Sequence, residues 1–117
     1  MVRLFTYGCL KDRGTHSLRR GMGCNLERKA WVFGWGMYYA TDHSPTIAPE
    51  PTRVIHGEIW TIPEVMMEEI DLYHGPKFTS GLIDLQYGDR VLCYYYEYEA
   101  AVGLRPVERG FWPPSSN

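Results

Sequence analysis

Apolar residues follow a helical spacing in one stretch of this sequence, TIPEVMMEEIDLYHG, at residues 61–75. They recur every three to four residues there, and acidic side chains fill the positions between them. Thr61 and Glu64 predict a capping box at the start of the helix, and Gly75-Pro76 predicts its end. The stretches on both sides are strand-like, which restricts the chain to folds in which one helix packs against a sheet.

Three strand-like runs precede this helix. Residues 2–6 form a short apolar run that stops at Tyr7-Gly8. Residues 27–39 predict a second strand, in which Gly34 and Gly36 indicate a bulge or a close backbone approach. Residues 53–62 predict a third strand with Val54, His56, Glu58 and Trp60 on one face, because side chains alternate along a strand.

The intervening and following segments complete the predicted fold. Residues 11–24 predict a loop with a short helix near residues 17–20, and the prolines of residues 41–53 predict a loop. Residues 82–86 and 91–98 predict a hairpin after the helix. The fold class is therefore α+β, with a small mixed β-barrel or sheet of five to six strands and one main helix.

Length and composition limit the possible functions. The 117 residues predict one domain at 1–112 and a flexible proline-serine tail at 113–117. A net charge of -2 leaves no basic surface for nucleic acid, and no apolar run approaches the ~20 residues that span a bilayer. The N-terminus enters a strand at once, without a signal peptide, and three scattered cysteines favour reduced thiols. We therefore expect a cytoplasmic protein with no metal and no cofactor.

Several side chains are candidates for chemistry, each with a plainer explanation. His56 and Glu58 could be neighbouring metal ligands, or simply polar groups of the sheet. Cys9 could be a nucleophile if a histidine lay nearby, or a small buried residue at a turn. His74 ends the predicted helix, where the carbonyl dipoles would favour its protonated form. These residues alone do not identify a reaction.

Three motifs in order resemble the gamma-glutamylcyclotransferase-like family. LFTYGCL at residues 4–10 resembles its Tyr-Gly-Ser/Thr-Leu signature. SPTIAPEPTRVIHGEIWTI, at residues 44–62, is similar to its proline-containing loop followed by Val-x-Gly-Glu-aromatic. EEIDLYHG at residues 68–75 resembles its Leu-Asp-x-Tyr-Glu-Gly segment, and the last hairpin and tail resemble those of its small bacterial members.

This resemblance implies a cavity in which backbone N–H groups of Tyr7, Gly8, Cys9 and Leu10 bind the carboxylate of a gamma-glutamyl compound. It also implies the reaction, a lyase-type or acyl-transfer cyclisation that forms 5-oxoproline and releases an amine. The partner is thus a small anionic metabolite. Both a monomer and a homodimer are compatible with the sequence, with Trp35 and Phe111 as candidate dimer contacts.

The chain departs from the family pattern at the catalytic position. The family glutamate aligns with His74, and its alternative position holds Lys77-Phe78. Three explanations stay open: His74 replaces the glutamate as base, another acid such as Glu58 or Asp71 reaches the cavity, or the pocket binds ligand without turnover. The first two predict an enzyme, and the third predicts a binding module.

Overall fold

A long hairpin of two strands, β2 (Asn25–Thr41) and β3 (Ser44–Ile62), forms half of the sheet. The computed structural model describes residues 1–11, 14, 18, 22–85 and 89–114. The other strands are β1 (Val2–Thr6), β4 (Thr79–Asp84) and β5 (Arg90–Tyr95). The helices are α1 (Met67–His74) and α2 (Tyr98–Ala101), and a 3₁₀ turn at Glu64–Met66 precedes α1.

The five strands form one mixed sheet in the order β2-β3-β1-β5-β4. β1 lies in the middle, antiparallel to β3 and parallel to β5, and β4 pairs antiparallel with β5. The predicted α+β fold with a mixed sheet and one main helix is confirmed. The described strands form an open sheet rather than a closed barrel.

The main helix lies between β3 and β4 as predicted, and it ends at Gly75, whose φ of 80° suits a glycine. The predicted capping box is wrong. Thr61 lies in β3, paired with both Arg3 and Asn25, and no side chain caps the helical segment. Since the strand runs to Ile62, Thr61 is already committed to the sheet and cannot cap a helix.

The loop predicted at residues 41–53 is also wrong, because most of it belongs to β3. β3 pairs with β1 only over residues 58–62, so its proline-containing half has β2 as its one described strand neighbour. Prolines are tolerated on such an edge because their missing N–H groups interrupt no second ladder. The bulge predicted at Gly34 is confirmed by a φ of 89° and a register shift between Phe33 and Trp35.

The last hairpin is confirmed with shifted ends. β4 starts at Thr79, β5 ends at Tyr95, and α2 replaces the end of the predicted strand 91–98. Residues 86–88, between β4 and β5, lie outside the described residues, and so do most of the residues of the short helix predicted at 17–20.

Two apolar clusters cover the two faces of the sheet. One contains Phe5 and Tyr7, and the other packs Leu4 and Trp60 against Ile70 of α1. Burying each large apolar side chain contributes about 1.5–3 kcal/mol to folding. The second cluster therefore holds α1 against the sheet, and it brings the end of the helix close to the end of β1.

Candidate functional site

A cavity of about 1110 Å³ opens where β1 ends. Its walls come from five places in the sequence: the end of β1 with residues 7–10, the turn between β2 and β3 with the residues beside it, the end of α1 with residues 76–78, the end of β5 with Tyr96, and the C-terminal segment. The residues that the family resemblance assigns to the site all line this cavity, namely Tyr7, Gly8, Cys9, Leu10 and His74.

Residues 7–10, here called the anion loop, line this cavity and include unused amides. The N–H groups of Gly8, Cys9 and Leu10 donate to no acceptor among the described residues. The loop is closed by a hydrogen bond of 3.1 Å from the N–H of Lys11 to the carbonyl of Gly8. Successive free amides at a turn form a concavity that binds anions without lysine or arginine.

Side chains hold the anion loop in place. The buried Tyr7 hydroxyl donates to the carbonyl of Tyr94 at 2.6 Å. A Cβ at Gly8 would lie 2.8 Å from Cγ of Pro45, closer than real contacts allow. The abrupt end of the first strand at Tyr7-Gly8 therefore follows from a close approach of the β2–β3 turn to the backbone.

Cys9 is a buried residue of the anion loop. Its thiol lies 3.7 Å from the carbonyl oxygen of His43, so the contact is with the backbone and not with the imidazole. The Tyr73 hydroxyl lies on the other side of the thiol, and burial together with this neighbour raises the pKa of Tyr73. These contacts match the plainer explanation of Cys9, a small buried residue at a turn.

His74 is held by aromatic neighbours, here called the His74 cluster: Tyr73, Phe78 and Tyr94. Its ring stacks on Tyr94 with the centroids 3.8 Å apart and the planes 5° apart. Tyr73 and Phe78 each approach it edge-on, with centroids 5.1 Å away. The imidazole therefore has one fixed orientation at the cavity wall.

The protonation state of His74 differs from the expectation. Burial lowers its pKa, and the carbonyl of Ile70 and the charge of Asp71 only partly oppose this effect. The carbonyl of Ile70 at the helix end favours the protonated form as expected, but burial of the ring outweighs it. Nδ1 lies 2.9 Å from the Ile70 carbonyl oxygen, which can only accept, so Nδ1 carries the proton and Nε2 keeps its lone pair.

Tyr94 is fixed in turn by α1. Its hydroxyl donates a short hydrogen bond to Oδ1 of Asp71, and burial raises the pKa of this phenol. Asp71 thus supports the ring on which His74 stacks. The carboxylate itself is not among the groups that line the cavity.

Lys11 connects the anion loop to the C-terminal segment. Its ammonium donates to the carbonyl of Trp112 at 2.5 Å and lies 3.9 Å from the centre of the Phe111 ring. Burial lowers the pKa of Lys11, while the nearby Glu58 opposes this effect. Trp112, Pro113 and Pro114 consequently form a wall of the cavity, together with Tyr39 and Arg105; we call this set the Tyr39 wall.

Residues 4–114 match the family described as gamma-glutamyl cyclotransferase, AIG2-like. The chain belongs to this family. The free amides of the anion loop lie within the matched region, and so does His74. A comparison with curated proteins gave no significant match.

Solved structures share the fold of this gamma-glutamyl cyclotransferase-like chain. Protein c4763, described as specific to uropathogenic Escherichia coli, is 24% identical with a TM-score of 0.75, over 95% of this chain and 91% of that one. Protein ytfP from Escherichia coli is 25% identical with a TM-score of 0.70, over 96% of both chains. A structure named gamma-glutamyl cyclotransferase is 15% identical with a TM-score of 0.62, over 90% of this chain and 69% of that one.

The family glutamate has no counterpart in the described cavity wall, where Asp42 carries the one carboxylate. Glu58 is buried in the sheet, accepts a hydrogen bond of 3.1 Å from Nε1 of Trp60, and does not line the cavity. Asp71 binds Tyr94 instead. Of the three groups considered from sequence, His74 alone lines the cavity, since Glu58 and Asp71 do not.

Sequence reasoning missed several lining residues. Asp42 and His43 come from the β2–β3 turn, and Tyr39, Arg105 and Trp112 come from distant parts of the chain. No local motif marks these residues, because only the pairing of β2 with β3 and the return of the C-terminal segment bring them together. Trp35, considered for a dimer contact, packs against Tyr95 with centroids 5.1 Å apart, whereas Phe111 is exposed.

Neither a metal centre nor a membrane-spanning helix is found within the described ranges. No three His, Cys, Asp or Glu side chains there form a group that could hold a metal ion. His56 stacks on Trp31 on the sheet surface and lies outside the cavity. The described helices are all too short or too polar to cross a bilayer.

Proposed function

We propose that this family member cyclises gamma-glutamyl amines or peptides to 5-oxoproline and releases the amine or amino acid. One observation carries the proposal: the unused amides of the anion loop and the imidazole of His74 line the same cavity. The amides bind the α-carboxylate of the substrate. Its α-nitrogen and γ-carbonyl then meet near His74, and this proximity replaces a bimolecular encounter.

His74 acts first as base and then as acid. Nε2 takes a proton from the α-ammonium, and the free amine attacks the γ-carbonyl carbon to form the new C–N bond. The imidazolium returns this proton to the leaving nitrogen as the old C–N bond breaks. The attacking nitrogen loses a second proton as it becomes the lactam N–H, and this proton also passes to the departing amine, which leaves as an ammonium ion, so protons and charges balance. The lowered pKa of His74 supports this role, because the imidazole is neutral and ready to accept a proton at neutral pH.

The test is to incubate the purified protein with a panel of gamma-glutamyl amines and amino acids and to measure 5-oxoproline. We expect His74→Ala to lower kcat by about 10²–10⁴. His74→Glu, which restores the family residue type, should retain turnover. His56→Ala is the matched control, because His56 lies outside the cavity, and it should leave the rate unchanged.

Unchanged turnover in His74→Ala would reject the role of His74. The absence of 5-oxoproline from every substrate would reject catalysis and favour a second candidate, a module that binds a small anionic metabolite in the same cavity. The observation that favours this candidate is the missing glutamate in the described wall. Native mass spectrometry of the purified protein distinguishes the two, since a binding module retains an intact gamma-glutamyl compound and an enzyme converts it.

A further inference from the structure

The cavity extends beyond the two groups used in the proposed reaction. In the proposed reaction the anion loop binds the α-carboxylate and the γ-carbonyl lies near His74. The leaving group must therefore occupy the rest of the cavity. The Tyr39 wall borders this space. Tyr39 and Trp112 pack edge-to-face with centroids 5.5 Å apart, and Pro113 and Pro114 continue the surface. Such a surface suits an aromatic ring, which packs edge-to-face or offset against its neighbours.

Arg105 gives this wall a charge. Its guanidinium lies 4.0 Å from the centre of the Tyr39 ring, and no described carboxylate lies within ion-pairing distance of it. The backbone fixes its position, because the N–H of Tyr39 donates to the Arg105 carbonyl at 2.9 Å and Tyr38 pairs with Pro106. A guanidinium that lies over a ring face still has N–H groups with which it can bind a carboxylate.

The charges of the cavity agree with a second anionic group on the ligand. Arg105 and Lys77 line it as cations, and Asp42 lines it as an anion, so cations exceed anions by one among these side chains. The anion loop takes the first carboxylate with neutral amides, which leaves this excess positive charge unneutralised. A gamma-glutamyl amine has no further carboxylate to offer, whereas a gamma-glutamyl amino acid has one.

We infer that the site prefers gamma-glutamyl conjugates of aromatic amino acids, with the ring of the leaving group against Tyr39 and Trp112 and its carboxylate on Arg105. This inference rests on the proposed function, because it places the glutamyl half by the anion loop and His74. It assigns Arg105 and Tyr39 as specificity-determining residues.

The test compares three conjugates in which one feature changes at a time: gamma-glutamyl-phenylalanine, gamma-glutamyl-alanine without the ring, and gamma-glutamyl-2-phenylethylamine without the carboxylate. We expect kcat/KM for the phenylalanine conjugate to exceed each of the others by about tenfold. Arg105→Met should lower kcat/KM for the phenylalanine conjugate to the value for the phenylethylamine conjugate. It should leave kcat/KM for the phenylethylamine conjugate nearly unchanged. Tyr39→Ala should lower kcat/KM for the phenylalanine conjugate to the value for the alanine conjugate.

Arg109→Met is the control, since Arg109 is exposed and does not line the cavity, and it should keep the full preference. Equal kcat/KM for the three conjugates in an active enzyme would overturn the inference and leave the proposed function intact. A preference abolished by Lys77→Met rather than Arg105→Met would overturn the assignment of Arg105. If no 5-oxoproline forms, calorimetric affinities for the same three conjugates test the inferred preference. The same ranking of affinities supports the inference without the proposed reaction. Equal affinities, or no binding, overturn it.

Discussion

The anion loop and the His74 cluster line the same cavity, yet they are built in opposite ways. The loop offers main-chain amides, and its side chains are used for structure: Tyr7 bonds to the Tyr94 carbonyl, and Gly8 makes room for Pro45. The His74 cluster offers a side chain, held by stacking on Tyr94. The loop therefore depends on the exact path of the backbone, whereas the cluster depends on one ring.

This difference explains why one region keeps the family motif and the other departs from it. A main-chain site cannot exchange its ligand groups, so any change at Gly8 or Tyr7 moves the amides themselves. A side-chain site can exchange its functional group while the surrounding rings stay in place. We therefore expect substitutions in the loop to reduce stability and binding together, and substitutions in the cluster to alter catalysis with a smaller effect on folding.

The largest effect is expected for Gly8→Val. The added side chain collides with Pro45 and displaces the β2–β3 turn, which should lower the free energy of unfolding by about 1–3 kcal/mol. Binding of gamma-glutamyl conjugates should be lost at the same time. Urea unfolding and calorimetry measure the two effects. Gly81→Ala is the control, because Gly81 lies in the edge strand β4 and its nearest neighbour is the end of the Tyr95 side chain.

The next effect is expected for Tyr7→Phe, which keeps the ring in the core and removes the hydroxyl. The Tyr94 carbonyl then loses its buried donor, and stability should fall by about 1 kcal/mol. Affinity should fall as well, because the anion loop loses an anchor. Tyr98→Phe, at an exposed position of α2, serves as the matched control. Lower stability with unchanged affinity would show that the loop amides do not depend on Tyr7.

A smaller effect is expected for Tyr94→Phe. The ring remains under His74, and only the bond to Asp71 is lost, which should reduce stability by about 0.5 kcal/mol. Turnover should stay close to that of the unmodified protein, whereas Tyr94→Leu removes the stacking surface and should lower kcat more than it raises KM. Equal kinetics in the two variants would contradict the stacking argument.

The smallest effect on stability is expected from pH. Burial lowers the pKa of folded His74 below its ordinary value of 6.5, so the unfolded chain binds more protons between the two values. The contribution of His74 to stability is complete above pH 6.5 and is lost as the pH falls toward the lowered value. The difference in unfolding free energy between the unmodified protein and His74→Gln isolates this effect. A difference that stays constant from pH 7 to 5 would contradict the shift.

The sequence was sufficient for the elements whose pattern is local. Apolar alternation located the strands, and Gly75 located the end of α1, because these signals lie within a few residues of the structure that they specify. The prolines at residues 45–51 led to the wrong prediction of a loop, because their effect depends on whether a second strand is present beside β3. Thr61 led to the wrong prediction of a capping box for a similar reason, since its pairing partners Arg3 and Asn25 are far away in sequence.

The same limit applies to the cavity. Residues 7–10 could be assigned to the cavity because the family motif they resemble is local in sequence, and they do line it. Binding of an anion by their amides stays a prediction. Arg105 and Trp112 could not be predicted, because they reach the site only through backbone contacts with β2 and through the bond from Lys11. The raising effect of the helix end on the pKa of His74 could be predicted because the helix end is visible in the sequence. The larger lowering effect of burial could not, because it depends on the packing of the ring.

The hydrogen bond from the Lys11 ammonium to the Trp112 carbonyl has a practical consequence for handling the protein. It seats Trp112 in the cavity wall, which continues to Pro114, so an extension fused directly after Pro114 would begin at the cavity. Truncation before Trp112 would strip the Lys11 ammonium of its acceptor and open the site to solvent. An affinity tag at the amino end, where Met1 lies near Glu64 at the start of the helical segment, keeps the rim clear.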